Sequence, residues 1–381
     1  MRIVLMGTGP FAVPSFEAIR ALEKHEILKV VTRPTQNSDA KSKTLANPVR
    51  AWADQHRLPL VDPASINEAN SIEALTRLDA DLLVVCDYGQ ILSIAALKAA
   101  RLGGINLHGS LLPRHRGAAP VQWAILRGDK TTGVCVIHMT PKLDGGPIIA
   151  CVSTSIGPCE TAGELEKRLS ELGIACCLEA IDKLSACATL EDCEGMGEAQ
   201  LSALATSAPR LAKSDGQLDF RYPAALIERQ VRGLQPWPGA FAMIKVGESK
   251  ELRVLVHEAK ITNFSVDSLV KVDQSLPTGI ATQKAAAGEM FWGQTMRERK
   301  LQFTEPELRS SDDFPSLMVA CVDFFVSITR LQPAGKRVME AREFIAGYGR
   351  ASSMNFEPLD VERIDVERKH PLLEKMMNYN H

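Results

Sequence analysis

Short apolar runs alternate with amphipathic stretches through the first half of the chain. "RIVLM" (2–6), "ILKVVT" (27–32), "DLLVVC" (81–86) and "INL" (105–107) have the length and β-branched content of buried strands. Between them, residues 14–24, 47–57 and 93–100 repeat apolar positions at helical spacing. This βαβ rhythm predicts an α/β domain whose mainly parallel sheet is covered by helices on both faces. A further helix is expected at 118–128, strands at 133–139 ("GVCVIHM") and 147–153 ("PIIACVS"), and a long helix over 161–186.

Residues 187–208 lack an apolar period and read as a linker. From 209 the pattern changes to one helix (223–233) followed by short runs such as "FAMIKV", "LRVLVHEAK" and "FFVSITRL", split by Gly, Pro, Asn and Asp. That suggests a small β-rich domain, of barrel type, over 209–350. Residues 283–316 read as a polar surface elaboration and 351–381 as a charged tail. The expected division is 1–186, 187–208, 209–350 and 351–381.

Composition agrees with two domains, since 381 residues at 45% hydrophobic content supply more than one core. Residues 201–350 carry 20 Lys and Arg against 17 Asp and Glu, an excess too small to demand a nucleic-acid partner by itself. Nine cysteines form no CxxC pair and no Cys/His cluster at zinc-ligand spacing, so no metal is expected. Adjacent Cys176 and Cys177 read as buried small apolar residues, and the absence of a disulfide framework fits a reducing cytoplasm. With no apolar run near 18 residues and no leader-like opening, neither membrane insertion nor secretion is expected.

Three motifs carry candidate chemistry. "GTGPFAVP" (7–14) offers Gly7, Gly9 and Ala12 as a partial dinucleotide fingerprint. No acidic residue follows the second strand to hold a ribose, so a tight turn without phosphate is the better reading. Strand alternation places Asn106 and His108 on one face at a carboxyl-terminal strand end, where open α/β sheets bind ligands. The next segment, "SLLPRHRGAAP" (110–120), is punctuated by Pro, Arg116 and Gly117 as if shaped around a ligand. Asp144 in "PKLDGGPI" (141–148) is either a turn former or a site carboxylate. An amide donor, an imidazole and a carboxylate together suit transfer of an acyl group to an amine, which creates an oxyanion and releases a proton.

"INLHGSLLPRHRGAAP", with "LDGG" downstream and "RIVLMGTGPFAVPSFEAI" at the start, resembles the folate-dependent formyltransferases. "NPVRAWADQHRLPL", "DYGQIL", "RGLQPWPGAF" and "RLQPAGKRVMEAREF" follow, in order, the branch that acts on tRNA, and the resemblance covers about residues 1–350. It implies a Rossmann-like formyltransferase domain joined by a linker to a C-terminal OB-like β-barrel. The implied reaction takes a formyl group from 10-formyltetrahydrofolate, without a metal, to the amine of methionyl-initiator tRNA, carried out by a cytoplasmic monomer.

Carried onto matching positions, the resemblance makes Asn106, His108 and Asp144 the catalytic trio. The folate contacts it implies are Gln90, Ile91 and Leu92, largely through main-chain groups, with Ser110, Leu111, Leu112 and Pro113. The implied tRNA contacts are Lys41 and Lys43 in the loop 33–48, and Arg210, Lys213, Lys336 and Arg337, which would position RNA through phosphates. The loop is less basic than the family's, and Asp87 stands where relatives often carry a small apolar residue. "PWPG" is expected to be a packing corner. Two other readings remain: a small-molecule formyltransferase, expected to lack the second domain, and a non-catalytic RNA-binding protein, which the presence of the whole trio disfavours.

Overall fold

Ile3, Val4, Leu5 and Met6 are completely buried because their strand, β1 (Arg2–Gly7), lies at the centre of a seven-stranded sheet. The other strands are β2 (Glu26–Val31), β3 (Leu60–Val61), β4 (Leu82–Cys86), β5 (Gly104–His108), β6 (Thr131–His138) and β7 (Ile148–Ser155). Their order is β3-β2-β1-β4-β5-β6-β7. The first five pair in parallel, while β6 runs antiparallel to β5 and β7 antiparallel to β6. The sheet is therefore mainly parallel, as the βαβ rhythm predicts, and closes on an antiparallel hairpin.

This computed structural model describes residues 1–34, 47–246, 250–272, 280–282, 286–287, 289–291, 301–303, 317–348, 354–356, 372 and 375. They divide into one unit of Met1–Ala124 with Asp129–Arg210, and a second of Ile125–Gly128 with Leu211–Tyr379. In the first unit the long helix Ala162–Leu184 starts at a capping box, Thr161 with Glu164, which satisfies orphan amides at its N-terminus. It buries Leu165, Leu169, Cys176, Cys177 and Leu184. Gly173 lets the helix press close, since a Cβ there would sit 2.9 Å from the Leu107 side chain on the back of β5.

Two elements escaped the sequence pattern. β3 is only two residues long, and helix Ala69–Thr76 buries Leu75 alone, so neither carries a readable period. The helix expected over 93–100 is shorter, Ile94–Leu97. Residues 187–208 are not a free connection. They hold a helix, Leu190–Glu194, capped by Thr189, and a bridge between Glu198 and Ile148. The Thr206 carbonyl accepts from Arg116 N at 2.8 Å, the Ala208 carbonyl from Ala119 N at 3.1 Å, and the Pro209 carbonyl from Trp123 Nε1 at 2.9 Å.

The second unit is antiparallel. Its larger sheet runs Met290–Phe291, Leu317–Ala320, Phe324–Pro333, Lys250–Ser265, Ala240–Val246, Met354–Phe356. The two outer strands approach within 8 Å, so the sheet curls towards itself. A smaller sheet joins Ile280–Thr282, Leu269–Val272 and Leu301–Phe303. Ile227, Val231 and Phe344, from helices Ala224–Gly233 and Ala341–Tyr348, complete the core with Val254, Val326 and Ile328. Trp237 in "PWPG" is half exposed, so the expected packing corner does not bury its ring. No described helix is long and apolar enough to cross a membrane.

The bonds to residues 206–209 fix where the first unit can be cut. A chain ending at Arg210 is expected to exceed one ending at Glu198 in unfolding free energy by about 3 kcal/mol or more, at about 1 kcal/mol per lost hydrogen bond. Urea titration of the two fragments checks this, and equal midpoints and slopes would refute it.

Candidate functional site

The carboxyl ends of β4 and β5 and the loop between β6 and β7 open into one cavity of about 500 Å³. Asn106, His108 and Asp144 all line it. The two β5 residues share a face by strand alternation, with Leu107 between them turned back against Gly173. Asp144 has a φ of 46°, a left-handed conformation that Asp tolerates better than most residues. The loop returns tightly at Gly146, where a Cβ would fall 1.8 Å from the His138 carbonyl oxygen.

The trio is close but held mainly by other groups. Asn106 Nδ2 donates to Asp144 Oδ1 over 3.4 Å, and His108 Nδ1 lies 3.8 Å from Asp144 Oδ2. Asp144 Oδ2 accepts a shorter bond, 2.8 Å, from the Gly117 amide. Gln200 Nε2 donates to the carbonyls of Asp144 and Gly146 at 2.8 and 2.7 Å, and buried Arg116 fixes Gln200 Oε1 with two bonds of 3.0 and 2.6 Å. His108 Nε2 is 2.9 Å from the His115 carbonyl, an acceptor only, so that nitrogen carries the proton and Nδ1 faces Asp144. His115 in turn meets Asp129 at 2.7 Å, and Arg114 neutralises the same carboxylate at 2.6 Å. Arg116 and Gly117 stood out in the sequence as unusual punctuation; Gln200, in the apparent linker, gave no signal.

The remaining predicted residues divide. Gln90, Ile91 and Leu92 line the cavity. The Gln90 side chain is committed elsewhere, accepting from Ile66 N at 2.9 Å, and the Ile91 carbonyl accepts from Asn67 at 2.8 Å. Ser110, Leu111, Leu112 and Pro113 do not line it. Ser110 is fully buried and donates to the Arg114 carbonyl at 2.7 Å, and Leu112 packs with Cys135 and Ile137, so these residues shape the loop from behind. Arg210 lines the cavity of the first unit. In the second unit Lys213 and Lys336 are exposed, and Arg337 pairs with Glu343 at 2.8 Å. Lys41 and Lys43 lie outside the described residues.

Two carboxyls that the motifs did not bring forward also line the cavity, Asp87 and Glu166. Asp87 is enclosed by protein on most sides but open to the cavity, and its carboxylate lies over Gly9, where a Cβ would come within 1.7 Å. That explains a glycine at position 9 without any phosphate. Burial pushes the Asp87 carboxyl up to about 6, with the charge of Glu166 adding to the effect. Burial also raises Glu166.

Patterns described as "Formyl transferase" and "Formyl transferase, C-terminal domain" match residues 1–181 and 210–288. The methionyl-tRNA formyltransferase of Rhodopirellula baltica is 46% identical over 352 residues, 91% of this chain and 94% of the relative. That of Citrifermentans bemidjiense is 35% identical over 349 residues, again 91% and 94%. Among solved structures, the sugar 3N-formyl transferase WlaRD superposes with a TM-score of 0.54 at 14% identity, covering 88% of this chain and 99% of that one. An N-formyltransferase from Helicobacter canadensis gives 0.53 at 15%, covering 86% and 98%. At such identity these likenesses concern the fold alone. They also correct one expectation, because a sugar formyltransferase matched over 88% of this chain does not lack a second domain.

The raised Asp87 carboxyl predicts a pH-dependent stability. The folded chain binds this proton more tightly than the unfolded chain, so the stabilisation is complete below about pH 3.8 and is lost as the pH rises through about 6. Asp87→Asn, neutral throughout, is expected to melt higher relative to wild type at pH 8 than at pH 4. Thermal melts at both values test this, and a pH-independent difference would count against it.

Proposed function

The chain belongs to the methionyl-tRNA formyltransferase family, and from that premise we propose that it transfers a formyl group from 10-formyltetrahydrofolate to the amino group of methionyl-initiator tRNA. The observation that carries the proposal is the convergence of Asn106, His108 and Asp144 in one cavity. When the amine attacks the formyl carbon, Asn106 Nδ2–H donates to the oxygen as it becomes negative, and the imidazole of His108 supports it from Nδ1. Asp144, its Oδ2 already anchored on the Gly117 amide, steadies His108 and receives the amine's proton through water. The leaving folate nitrogen is reprotonated, so the exchange needs no redox partner.

The folate would lie against the apolar wall of Ile91 and Leu92 and meet main-chain groups of 90–92, since the Gln90 side chain is engaged. The second unit, read as an OB-like barrel, would hold the tRNA through Lys213, Lys336 and Arg337, with Lys41 and Lys43 contributing from the first. Arg210, at the cavity, would act nearer the acceptor end. Phosphate contacts position the acceptor without reading its sequence, and the trio acts where the chain end arrives.

The decisive assay is radiolabelled formyl transfer from 10-formyltetrahydrofolate to charged initiator tRNA, beside free methionine and glycinamide ribonucleotide. Formylation of the tRNA alone is expected; preferential formylation of a small amine would overturn the reading. Alanine at Asn106, His108 or Asp144 is expected to cut turnover by about 100-fold or more while leaving tRNA affinity nearly unchanged.

Salt dependence tests the tRNA assignment separately. Alanine at Lys213 or Lys336 should each flatten the log–log slope of tRNA affinity by slightly under one unit, and alanine at Arg337 by less because Glu343 already offsets its charge. Affinity that is indifferent to salt would refute these contacts.

A further inference from the structure

Cys135 and Cys151 stand directly opposite each other on β6 and β7, sixteen residues apart in sequence, with their sulfurs in contact at 2.7 Å. Directly opposed residues of an antiparallel pair project to the same face with Cα atoms about 4.5–5.5 Å apart. That separation falls inside the range a disulfide spans, so closing a bond requires no movement of the strands. Cys151 is exposed and Cys135 is buried. We propose that these two thiols are an oxidation site at which a hydroperoxide closes a reversible disulfide across the β6–β7 hairpin.

The environments divide the work. The Cys135 S–H is held towards Cys151, which raises the thiol of Cys135 and lowers that of Cys151, with burial raising Cys135 further. The exposed sulfur is thus the nucleophile and the buried one resolves the intermediate. The Cys151 thiolate attacks a peroxide oxygen, the O–O bond breaks, and the departing hydroxide takes a proton to become water. The sulfenic acid so formed is attacked by Cys135, its S–O bond breaks, and the oxygen leaves as a second water with the Cys135 proton. Two electrons pass from the two sulfurs to the peroxide.

The position gives the bond a consequence beyond the hairpin. Cys135 is the register partner of His108 on β5, and the loop enclosed between the two cysteines carries Asp144. The link would fasten β7, the edge strand, to β6 at the base of that loop. Elsewhere Cys187 and Cys193 are both buried, so an oxidant in solution reaches neither directly. Cys159 is exposed and provides an internal comparison.

The test uses the full reduced chain, treated with a modest excess of hydrogen peroxide, quenched with iodoacetamide and mapped without reduction. Titratable thiols should fall by two from nine, a Cys135–Cys151 linked peptide should form, and dithiothreitol should restore both. Cys151→Ser should abolish the link, and this exposed position leaves the core intact. Cys135→Ser should leave a sulfenic acid on Cys151 that dimedone captures, where wild type yields little adduct. An unchanged thiol count, a link at Cys187–Cys193 instead, or equal dimedone labelling of Cys151 in wild type and Cys135→Ser would each overturn the proposal.

Discussion

The bond from the Gly117 amide to the Asp144 carboxylate is the tie on which the site depends. Asn106 and His108 come from a strand, whose position the sheet fixes; Asp144 comes from a loop in a left-handed conformation, which no sheet bond fixes. A charge-assisted bond of 2.8 Å, reached from the segment that follows β5, brings loop and strand into one geometry. Gln200 holds the same loop from behind through two carbonyls, and Arg116, next to Gly117, holds Gln200. Three stretches distant in sequence are thereby braced against one another, the kind of support that preorganised catalysis requires.

Much of this was legible before any coordinates. The strands β1, β2, β4 and β5 announce themselves through β-branched runs because both faces are buried, and the Asn106/His108 alternation follows from the two-residue period of a strand. What escaped was structure that leaves no periodic trace. Gln200 and Thr206 act through single hydrogen bonds from a stretch without an apolar stripe, so composition there reads as a linker although its backbone is fastened to the loop after β5. Ser110 and Leu112 belong to a motif close to the chemistry, but alternation and turn geometry point them inward. Proximity in sequence to a catalytic residue is not proximity to its ligand.

Asp87 and Glu166 illustrate a different kind of hidden feature. Each alone is an ordinary acidic residue in the sequence, and only the fold places both on one cavity, where each disfavours the other's charge. The carboxylate over Gly9 also reverses the meaning of an apparent nucleotide motif. The glycine is needed to admit a side chain of the chain itself, and not a phosphate.

The proton on His108 Nε2 is directed by a main-chain carbonyl, that of His115, and this has an evolutionary corollary. A carbonyl is supplied by every amino acid, so drift at position 115 does not erase the tautomer through this bond. What drift must preserve is a backbone with φ near 58°. Glycine and asparagine visit that region readily and β-branched residues do not. Substitutions among lineages at this position should therefore sort by conformational tolerance, with the imidazole chemistry of residue 115 itself a secondary matter.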